Sequence, residues 1–404
     1  MKNLVMGVAK GYNWNDIEPF VNSFKQNCLN ADLVLFMDNP SKFTENKLNR
    51  GGVRIEQIPE NLKHMVVNTR WEMYENFLSS HPEYEKIFCT DIRDVIFQGD
   101  LFSSYTEYKN FLVYATEGQK IQDDQIYNSK WIRHLFGENE YQKIKDNTAV
   151  CCGTIYGSCA GINILFEDMT KIFFKDTTWG NDQGALNYFI HNKILPIENQ
   201  IESNVETGEL FTVGVLKNFP IVNEKILRGD GGVPAVVHQY DRHPQLVQLV
   251  DNLYREKDFQ PDENFTDLKS ALAQMFCLVQ RQNFNAATKF FINYVSRTKN
   301  LNLDSYTLLK LAEFILQRYN PDAEFLILLL QKTLVTDFSS GITIQQIERI
   351  YRFFVVAKRD LHCVNPEFTN FVKNMLVACI DAFYKNNNPE LGKKYVNLLA
   401  DWSN

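Results

Sequence analysis

The sequence has few features that would tie the protein to a membrane or to nucleic acid. No apolar run reaches the ~20 residues that a transmembrane helix needs, and the start, "MKNLVMGVAKGYNW", lacks the apolar core and cleavage site of a signal peptide. We therefore expect a cytoplasmic protein without a transmembrane segment. The formal net charge is -7, which disfavours nucleic acid as a partner. An anionic substrate would need a local basic pocket or a metal ion.

The cysteines do not form the pattern of a disulfide framework or of a zinc site. Eight cysteines are scattered along the 404 residues, without the dense, regular spacing of disulfide-rich domains. The group formed by Cys151, Cys152 and Cys159 lacks the spacing of zinc ligands. We expect reduced and mostly buried thiols.

The first 240 residues alternate between strand-like and helix-like segments. The strand-like segments are "NLVMGVA", "ADLVLFMD", "VRIEQIP", "KIFCTD" and "FLVYATE". Residues 17–28 and 67–80 have the periodicity of amphipathic helices. Such alternation predicts an α/β fold with a mixed, mostly parallel sheet and helices on both faces.

The pattern changes near residue 245. From 267 to 402 apolar residues recur every three or four positions, which predicts a separate all-α domain. We assign residues 1–250 to the first domain and 262–404 to the second, with the polar stretch "YREKDFQPDENFTD" as the linker. A helical bundle and a helical repeat both remain open for the second domain, with "AEFLILLLQKTLV" at the centre of its packing.

The stretch "KIFCTDIRDVIFQGDLF" places charge at the end of an apolar strand. Asp91 and Asp94 follow this strand, with Arg93 between them. In open α/β sheets ligands bind at the carboxyl ends of strands, and two carboxylates there repel each other unless a cation joins them. Mg²⁺ or Mn²⁺ fits oxygen ligands of this kind. The alternative is structural: Asp91 caps the next turn while Arg93 pairs with Asp94 at the surface.

Three later segments also carry polar residues next to apolar runs. "TIYGSCAGINILF" is rich in glycine, "TTWGNDQGALNYFIH" has Asp182 and Gln183 at the start of a helix, and "AVVHQYDRHPQL" has His238 after an apolar run. Taken singly, each has an ordinary explanation: a turn, a helix N-cap and a structural histidine.

Together with "VAKGYNWNDIEPFVNSF" near the start, these segments resemble the GT-A fold glycosyltransferases over residues 1–245. "TDIRDVIFQGDLF" resembles a variant of their Asp-x-Asp signature, and "WGNDQGALN" resembles the helix start of their retaining, glycogenin-like members. The resemblance implies a GT-A, Rossmann-like sheet. It also implies a nucleotide-sugar donor, a saccharide or lipid-linked acceptor, and a divalent cation, Mn²⁺ or Mg²⁺.

The resemblance also implies roles for individual residues. Asp91, Asp94 and His238 would hold the metal. Asp182 and Gln183 would lie at the reacting centre. The remaining residues would bind the nucleotide: Val8, Ala9 and Tyr12 at the base, and Arg70, Asp91 and Arg93 near the ribose or pyrophosphate. The signature here is Asp-x-Arg-Asp, so Arg93 could bind the pyrophosphate in place of the metal or beside it.

Three functions follow as hypotheses. The first is a retaining glycosyltransferase of cell-surface polysaccharide, lipopolysaccharide or capsule synthesis, peripheral at the inner membrane, with the helical half positioning the acceptor or a partner, or forming a homo-oligomer. A stabilising appendage is the simpler role for that half. The second is a sugar-phosphate nucleotidyltransferase, which "GVAKGYNW" disfavours because it lacks a glycine-rich Lys/Arg loop. The third is a non-catalytic sugar-nucleotide-binding module with a helical interaction domain.

Overall fold

The computed structural model describes residues 2–60, 65–173, 179–265 and 267–297, together with parts of 370–403 that include the whole of 389–403. The chain divides into two compact units, Met1–Asp258 and Phe259–Asn404. The sequence-based domains 1–250 and 262–404 lie within these two units, and the functions assigned to them remain predictions.

The described strands of the first unit form a large seven-stranded sheet, a small three-stranded sheet and the two-stranded pair β10-β11. In chain order the strands are β1 (Lys2–Val8), β2 (Ala31–Met37), β3 (Arg54–Gln57), β4 (Tyr84–Thr90), β5 (Val95–Phe97), β6 (Phe111–Lys120), β7 (Thr148–Ser158), β8 (Asn199–Ser203), β9 (Leu210–Thr212), β10 (Ile221–Val222), β11 (Lys225–Ile226) and β12 (Val236–His238). The large sheet has the order β3-β2-β1-β4-β7-β6-β8. Its strands are parallel except β7, which runs antiparallel to β4 and β6.

Helices cover both faces of the large sheet. They are α1 (Trp14–Asn27), α2 (Lys42–Arg50), α3 (Val66–Ser79), α4 (Asn128–Phe136), α5 (Glu138–Ile144), α6 (Cys159–Phe173), α7 (Asn181–His191) and α8 (Pro244–Tyr254). On one face, Trp71 of α3 and Phe166 of α6 pack with Met6 of β1 in one apolar cluster. On the other, Phe20 of α1 packs edge-on against Phe97, which contacts Phe88 of β4. Strands covered on both faces read as nearly continuous apolar runs, which is why the sequence signals them clearly.

The predicted α/β class with a mixed, mostly parallel sheet is therefore confirmed. The ends of the helices differ slightly from the prediction. Helix α1 starts at Trp14 and not at Ile17, because Asp16 accepts a hydrogen bond of 2.8 Å from the backbone N–H of Asn13 and stabilises an earlier first turn. Helix α3 starts at Val66, one residue before the predicted position.

The small sheet joins distant parts of the first unit. Its order is β5-β12-β9, with β12 antiparallel to β5 and parallel to β9. His238, the last residue of β12, lies opposite Val95, and the N–H of Gln239 donates to the carbonyl of Asp94 at 2.8 Å. This pairing brings the carboxyl end of β12 to the turn that follows β4.

The described regular elements of the second unit are helices, as predicted. They are α9 (Leu268–Gln280), α10 (Phe284–Arg297) and α11 (Pro389–Ser403). Asp267 caps α9 by accepting from the N–H of Ser270 at 2.8 Å. The segment "AEFLILLLQKTLV" and the choice between a bundle and a repeat lie outside the described residues. Across the described parts of both units, no helix combines the length and the apolar character needed to cross a membrane.

The cysteines agree with the prediction of buried thiols. The described cysteines form no disulfide, and all of them are buried except Cys159, which is partly exposed. Cys363 and Cys379 lie outside the described residues.

Candidate functional site

Asp91 and Asp94 follow β4 at the point where the order of the large sheet reverses. From β1 the chain first builds outward through β2 and β3, and it then returns to place β4 on the other side of β1. Ligands bind at the carboxyl ends of strands at such switch points. The N–H of Asp91 donates to the carbonyl of Gly153 in β7 at 2.7 Å, which fixes the start of the turn. The side chain of Asp91 is 43% exposed and that of Asp94 is 17% exposed.

His238 reaches the same turn from the small sheet. Its Nε2 lies 3.6 Å from Oδ2 of Asp91 and 3.7 Å from Oδ2 of Asp94, and its side chain is 1% exposed. Its Nδ1 lies 3.5 Å from Sγ of Cys151. Nε2 is buried and has no hydrogen-bond partner among the described residues. One ligand atom from each of Asp91, Asp94 and His238 falls within 4.8 Å of the others, so the three side chains can hold one cation.

The absence of a side chain at Gly153 makes this approach possible. A Cβ at Gly153 would lie 2.3 Å from Cε1 of His238 and 2.6 Å from Oδ2 of Asp91. Carbon atoms do not approach each other so closely without displacement. Glycine is therefore required here by the packing of the cluster. The other two glycines of the segment, Gly157 and Gly161, lie against the carbonyl of Phe111 instead, where they allow close packing of backbone on backbone.

Arg70 connects the acidic cluster to the start of α7. Its Nη1 donates to Oδ1 of Asp91 at 2.8 Å, and its Nη2 donates to Oδ2 of Asp182 at 2.6 Å and to the carbonyl of Cys152 at 3.1 Å. Its side chain is only 9% exposed. Burial of a guanidinium is tolerated because these acceptors surround it.

The carboxylates of the site differ in their proton affinity. Burial raises the pKa of Asp91, but the contact with His238 and the charge of Arg70 outweigh it and lower the pKa to about 2. Burial raises the pKa of Asp94, and the neighbouring Asp91 raises it further against the opposing effect of His238. The pKa of Asp182 is also raised by burial, which Arg70 only partly offsets. A bound cation would remove the repulsion between Asp91 and Asp94.

Asp182 and Gln183 lie in the first turn of α7, as predicted. Oδ1 of Asp182 accepts from the N–H of Gln183 at 2.9 Å, while its other oxygen binds Arg70. Asp182 is therefore more than a helix cap. The amide of Gln183 is held on both sides, because Oε1 accepts from the N–H of Cys152 at 3.2 Å and Nε2 donates to Glu117 and to Asn128 at 3.0 Å each.

Two cavities meet at the acidic cluster. The larger has a volume of about 680 Å³ and the smaller about 350 Å³, within the range of small-molecule sites. Arg70, Asp91 and Asp94 line both cavities. Asp182 and Gln183 line the larger cavity, whereas the smaller is lined by residues at the end of β1 and after β1 and β4: Val8, Lys10, Tyr12, Ile92 and Arg93.

The structure brings together nearly all of the residues singled out from the sequence. Ala9 is the exception: it is fully buried, and its N–H donates to the carbonyl of Phe36 at 2.8 Å. It is not among the described residues that line either cavity. Arg93 does not pair with Asp94, as the structural alternative supposed, but contacts Asp241 at 3.2 Å with 56% of its side chain exposed.

The sequence analysis missed several residues of the larger cavity. Glu117 at the end of "FLVYATE" and Asn128 in α4 hold Gln183, and Trp131 and Trp179 line the wall. Glu117 and Asn128 are eleven positions apart, and two such isolated polar residues do not form a periodic pattern that could be recognised in the sequence. The only available signal was the position of Glu117 at the end of a predicted strand.

No protein-family model matches the chain, and no curated protein sequence matches it. Among solved structures, the chain is similar to an active-site mutant of LgtC, with 12% identity over 63% of this chain and 97% of that one and a TM-score of 0.38. It is similar to the galactosyltransferase LgtC in complex with donor and acceptor sugar analogs, with 14% identity over the same shares and a TM-score of 0.35. It is also similar to the glycosyltransferase GlyE of Streptococcus pneumoniae TIGR4, with 17% identity over 50% of this chain and 45% of that one and a TM-score of 0.30.

Proposed function

We propose that the first unit is a glycosyltransferase that moves a sugar from a nucleotide-sugar donor to a saccharide or lipid-linked acceptor. The observation that carries the proposal is the convergence of Asp91, Asp94 and His238 at the switch point of the sheet, between two cavities. A nucleotide sugar has two ends joined by a diphosphate. A cation site flanked by two cavities matches that division, with the diphosphate at the junction.

The smaller cavity suits the nucleotide. Tyr12 offers an aromatic ring on which a base can stack, and Val8 adds apolar surface. Lys10 and Arg93 supply positive charge on the same wall. Arg93 presents a planar fork that can bind phosphate oxygens with two hydrogen bonds.

The residues present fit a divalent cation. The buried Nε2 of His238 lacks a hydrogen-bond partner among the described atoms and faces two carboxylate oxygens. Asp91, Asp94 and His238 would hold Mn²⁺ or Mg²⁺, for which carboxylates are preferred ligands. When bound, such a cation neutralises charge that develops on a departing nucleoside diphosphate. Arg93 would assist at the same phosphates.

Asp182 is proposed to act at the sugar. It lines the larger cavity on the far side of Arg70 from Asp91. Its negative charge would stabilise the positive charge that grows on the sugar ring as the bond to the diphosphate breaks. Gln183, held by three hydrogen bonds, would keep the first turn of α7 in place. We infer retention of the anomeric configuration from the sequence resemblance, and NMR of the product tests it.

The second unit is proposed to position the acceptor, or a partner, for the first. Cell-surface polysaccharide, lipopolysaccharide or capsule synthesis at the cytoplasmic face of the inner membrane is the setting that this assignment favours. Truncation after Asp258 tests it. Donor hydrolysis should survive while transfer to the acceptor collapses, and full transfer by the fragment would contradict the assignment.

The central experiment is a thermal-shift series with nucleotides and nucleotide sugars, with and without Mn²⁺. A ligand at a hundredfold excess over its Kd stabilises the folded state by about 2.7 kcal/mol, and we expect this only when Mn²⁺ is present. Asp94→Ala should abolish the shift, while Asp168→Ala on the surface of α6 serves as the control. If no nucleotide raises the melting temperature, the proposal fails.

Turnover separates the remaining alternatives. Release of a nucleoside diphosphate from the nucleotide sugar is the result expected of a transferase. Pyrophosphate released from a sugar phosphate and a nucleoside triphosphate would indicate the nucleotidyltransferase. Binding without turnover would indicate the non-catalytic module.

A further inference from the structure

Three aromatic side chains form a platform on the wall of the larger cavity. Tyr127 and Trp131 belong to the start of α4, and Trp179 precedes α7; all three line the cavity. Their ring centroids lie 5.3–6.0 Å apart. Tyr127 is 49% exposed and Trp179 is 50% exposed. Half-exposed aromatic rings that lie together beside a cavity form a contiguous apolar surface that a ligand can cover.

The platform is held rigidly from behind. Trp131 is only 9% exposed and packs under the start of α7. A Cβ at Gly180 would lie 2.1 Å from Cε2 of Trp131, and Gly180 has φ +83°, a conformation that glycine adopts without strain. The Trp131 ring is therefore fixed before any ligand arrives, which lowers the entropic cost of binding on this ring.

The charge around the platform is acidic. Among the described residues that line the larger cavity, Glu117, Asp123 and Asp124 carry negative charge on this side. Two arginines line the cavity too: Arg70 is paired with Asp91 and Asp182, and Arg242 lies in the turn that follows β12. Such a wall repels phosphates and carboxylates, whereas it offers hydrogen-bond acceptors to hydroxyl groups.

We propose that Tyr127, Trp131 and Trp179 form an acceptor subsite that binds a neutral pyranose ring. A pyranose has an apolar face of C–H groups that covers an aromatic ring, and hydroxyl groups at its edge that reach the acidic side chains. Trp179 lines both cavities, so the platform begins where donor and acceptor meet. The assignment rests on the proposed glycosyltransferase function and names the chemical class of its acceptor.

A glycan array tests the subsite. Labelled full-length protein is applied to an array of neutral and anionic glycans, with and without Mn²⁺ and the nucleoside diphosphate that gives the largest thermal shift. We expect binding to neutral glycans, a loss of about tenfold in Tyr127→Ala, and a change within about twofold in Tyr127→Phe, which keeps the ring. Ile126→Ala is the matched control, because Ile126 is adjacent and 71% exposed but is not among the residues described as lining the cavity.

Three results would overturn the subsite: binding confined to anionic glycans, binding to no glycan, or unchanged binding by Tyr127→Ala. Failure of the proposed function looks different, because the wild-type protein would then show no Mn²⁺-dependent thermal shift with any nucleotide. A protein that binds nucleotide but not neutral glycans would refute the subsite alone.

Discussion

Replacing Gly153 by alanine should separate the three side chains of the cation site. The added Cβ would lie 2.3 Å from Cε1 of His238 and 2.6 Å from Oδ2 of Asp91, so these groups must retreat by about 1 Å to reach ordinary contact. Metal ligands tolerate only about 0.2 Å of error in distance. The carbonyl of Gly153 accepts the N–H of Asp91 at 2.7 Å, so a shift of the Gly153 backbone would also disturb the turn that carries the two carboxylates.

Two magnitudes follow for Gly153→Ala. Overpacking of a buried site costs about 1–3 kcal/mol of folding stability. Disturbance of the residues that support metal ligands lowers metal affinity by about 10–100-fold. We expect the lower Mn²⁺ affinity to reduce activity more than the lower stability does. The protein remains folded, but its three metal ligands lie too far apart to hold one ion tightly.

Calorimetric titration of Mn²⁺ in the presence of a nucleoside diphosphate measures the effect, and thermal unfolding of the same sample reports the fold. Gly99→Ala is the matched control, since the nearest atom to its Cβ would lie at 3.6 Å, an ordinary contact. If Gly153→Ala binds Mn²⁺ as tightly as wild type, the cluster is not a cation site of this geometry.

The remaining predictions concern the charged residues. Arg70→Met should lower the free energy of unfolding by about 3–5 kcal/mol, because it leaves the buried Asp182 without its cation. Arg93→Met should cost about 0–1 kcal/mol, because Arg93 is exposed; urea unfolding measures both. Asp94→Ala and His238→Ala should each abolish Mn²⁺-dependent transfer, while circular dichroism shows that the fold is retained. Full activity in excess chelator would indicate that Arg93, and not a metal, neutralises the diphosphate. Asp182→Asn should lower kcat more than nucleotide affinity, and normal turnover would reduce Asp182 to a structural role.

The sequence predicted five of the seven strands of the large sheet, β1, β2, β3, β4 and β6, whereas β7 and β8 were not predicted. Segments such as β1 and β4 are apolar throughout their middle and are bounded by polar loops, which is a strong local signal. The position of Asp91 and Asp94 follows from the same signal, since it requires only the end of a strand.

Other features depend on contacts that no local pattern contains. Arg70 and Asp182 are 112 positions apart in the sequence. The sequence around a single arginine in a helix does not indicate which carboxylate it will pair with. The aromatic platform joins α4 to the start of α7 through tertiary packing alone. The resemblance assigned Ala9 to the base pocket, but Ala9 directly follows β1, its N–H continues the pairing with β2 through Phe36, and the residue is fully buried.

The pairing of β12 with β5 has a consequence for how the protein matures. His238 joins the acidic pair only after the chain has closed a loop of some 140 residues, and long closures are slow relative to local contacts. During synthesis, Asp91 and Asp94 therefore leave the ribosome well before the histidine that completes their ligand set. Domains generally fold as units, so a cation held by all three side chains would bind tightly only after β12 has paired with β5. Metal affinity measured on chains of increasing length would then rise steeply once β12 has emerged.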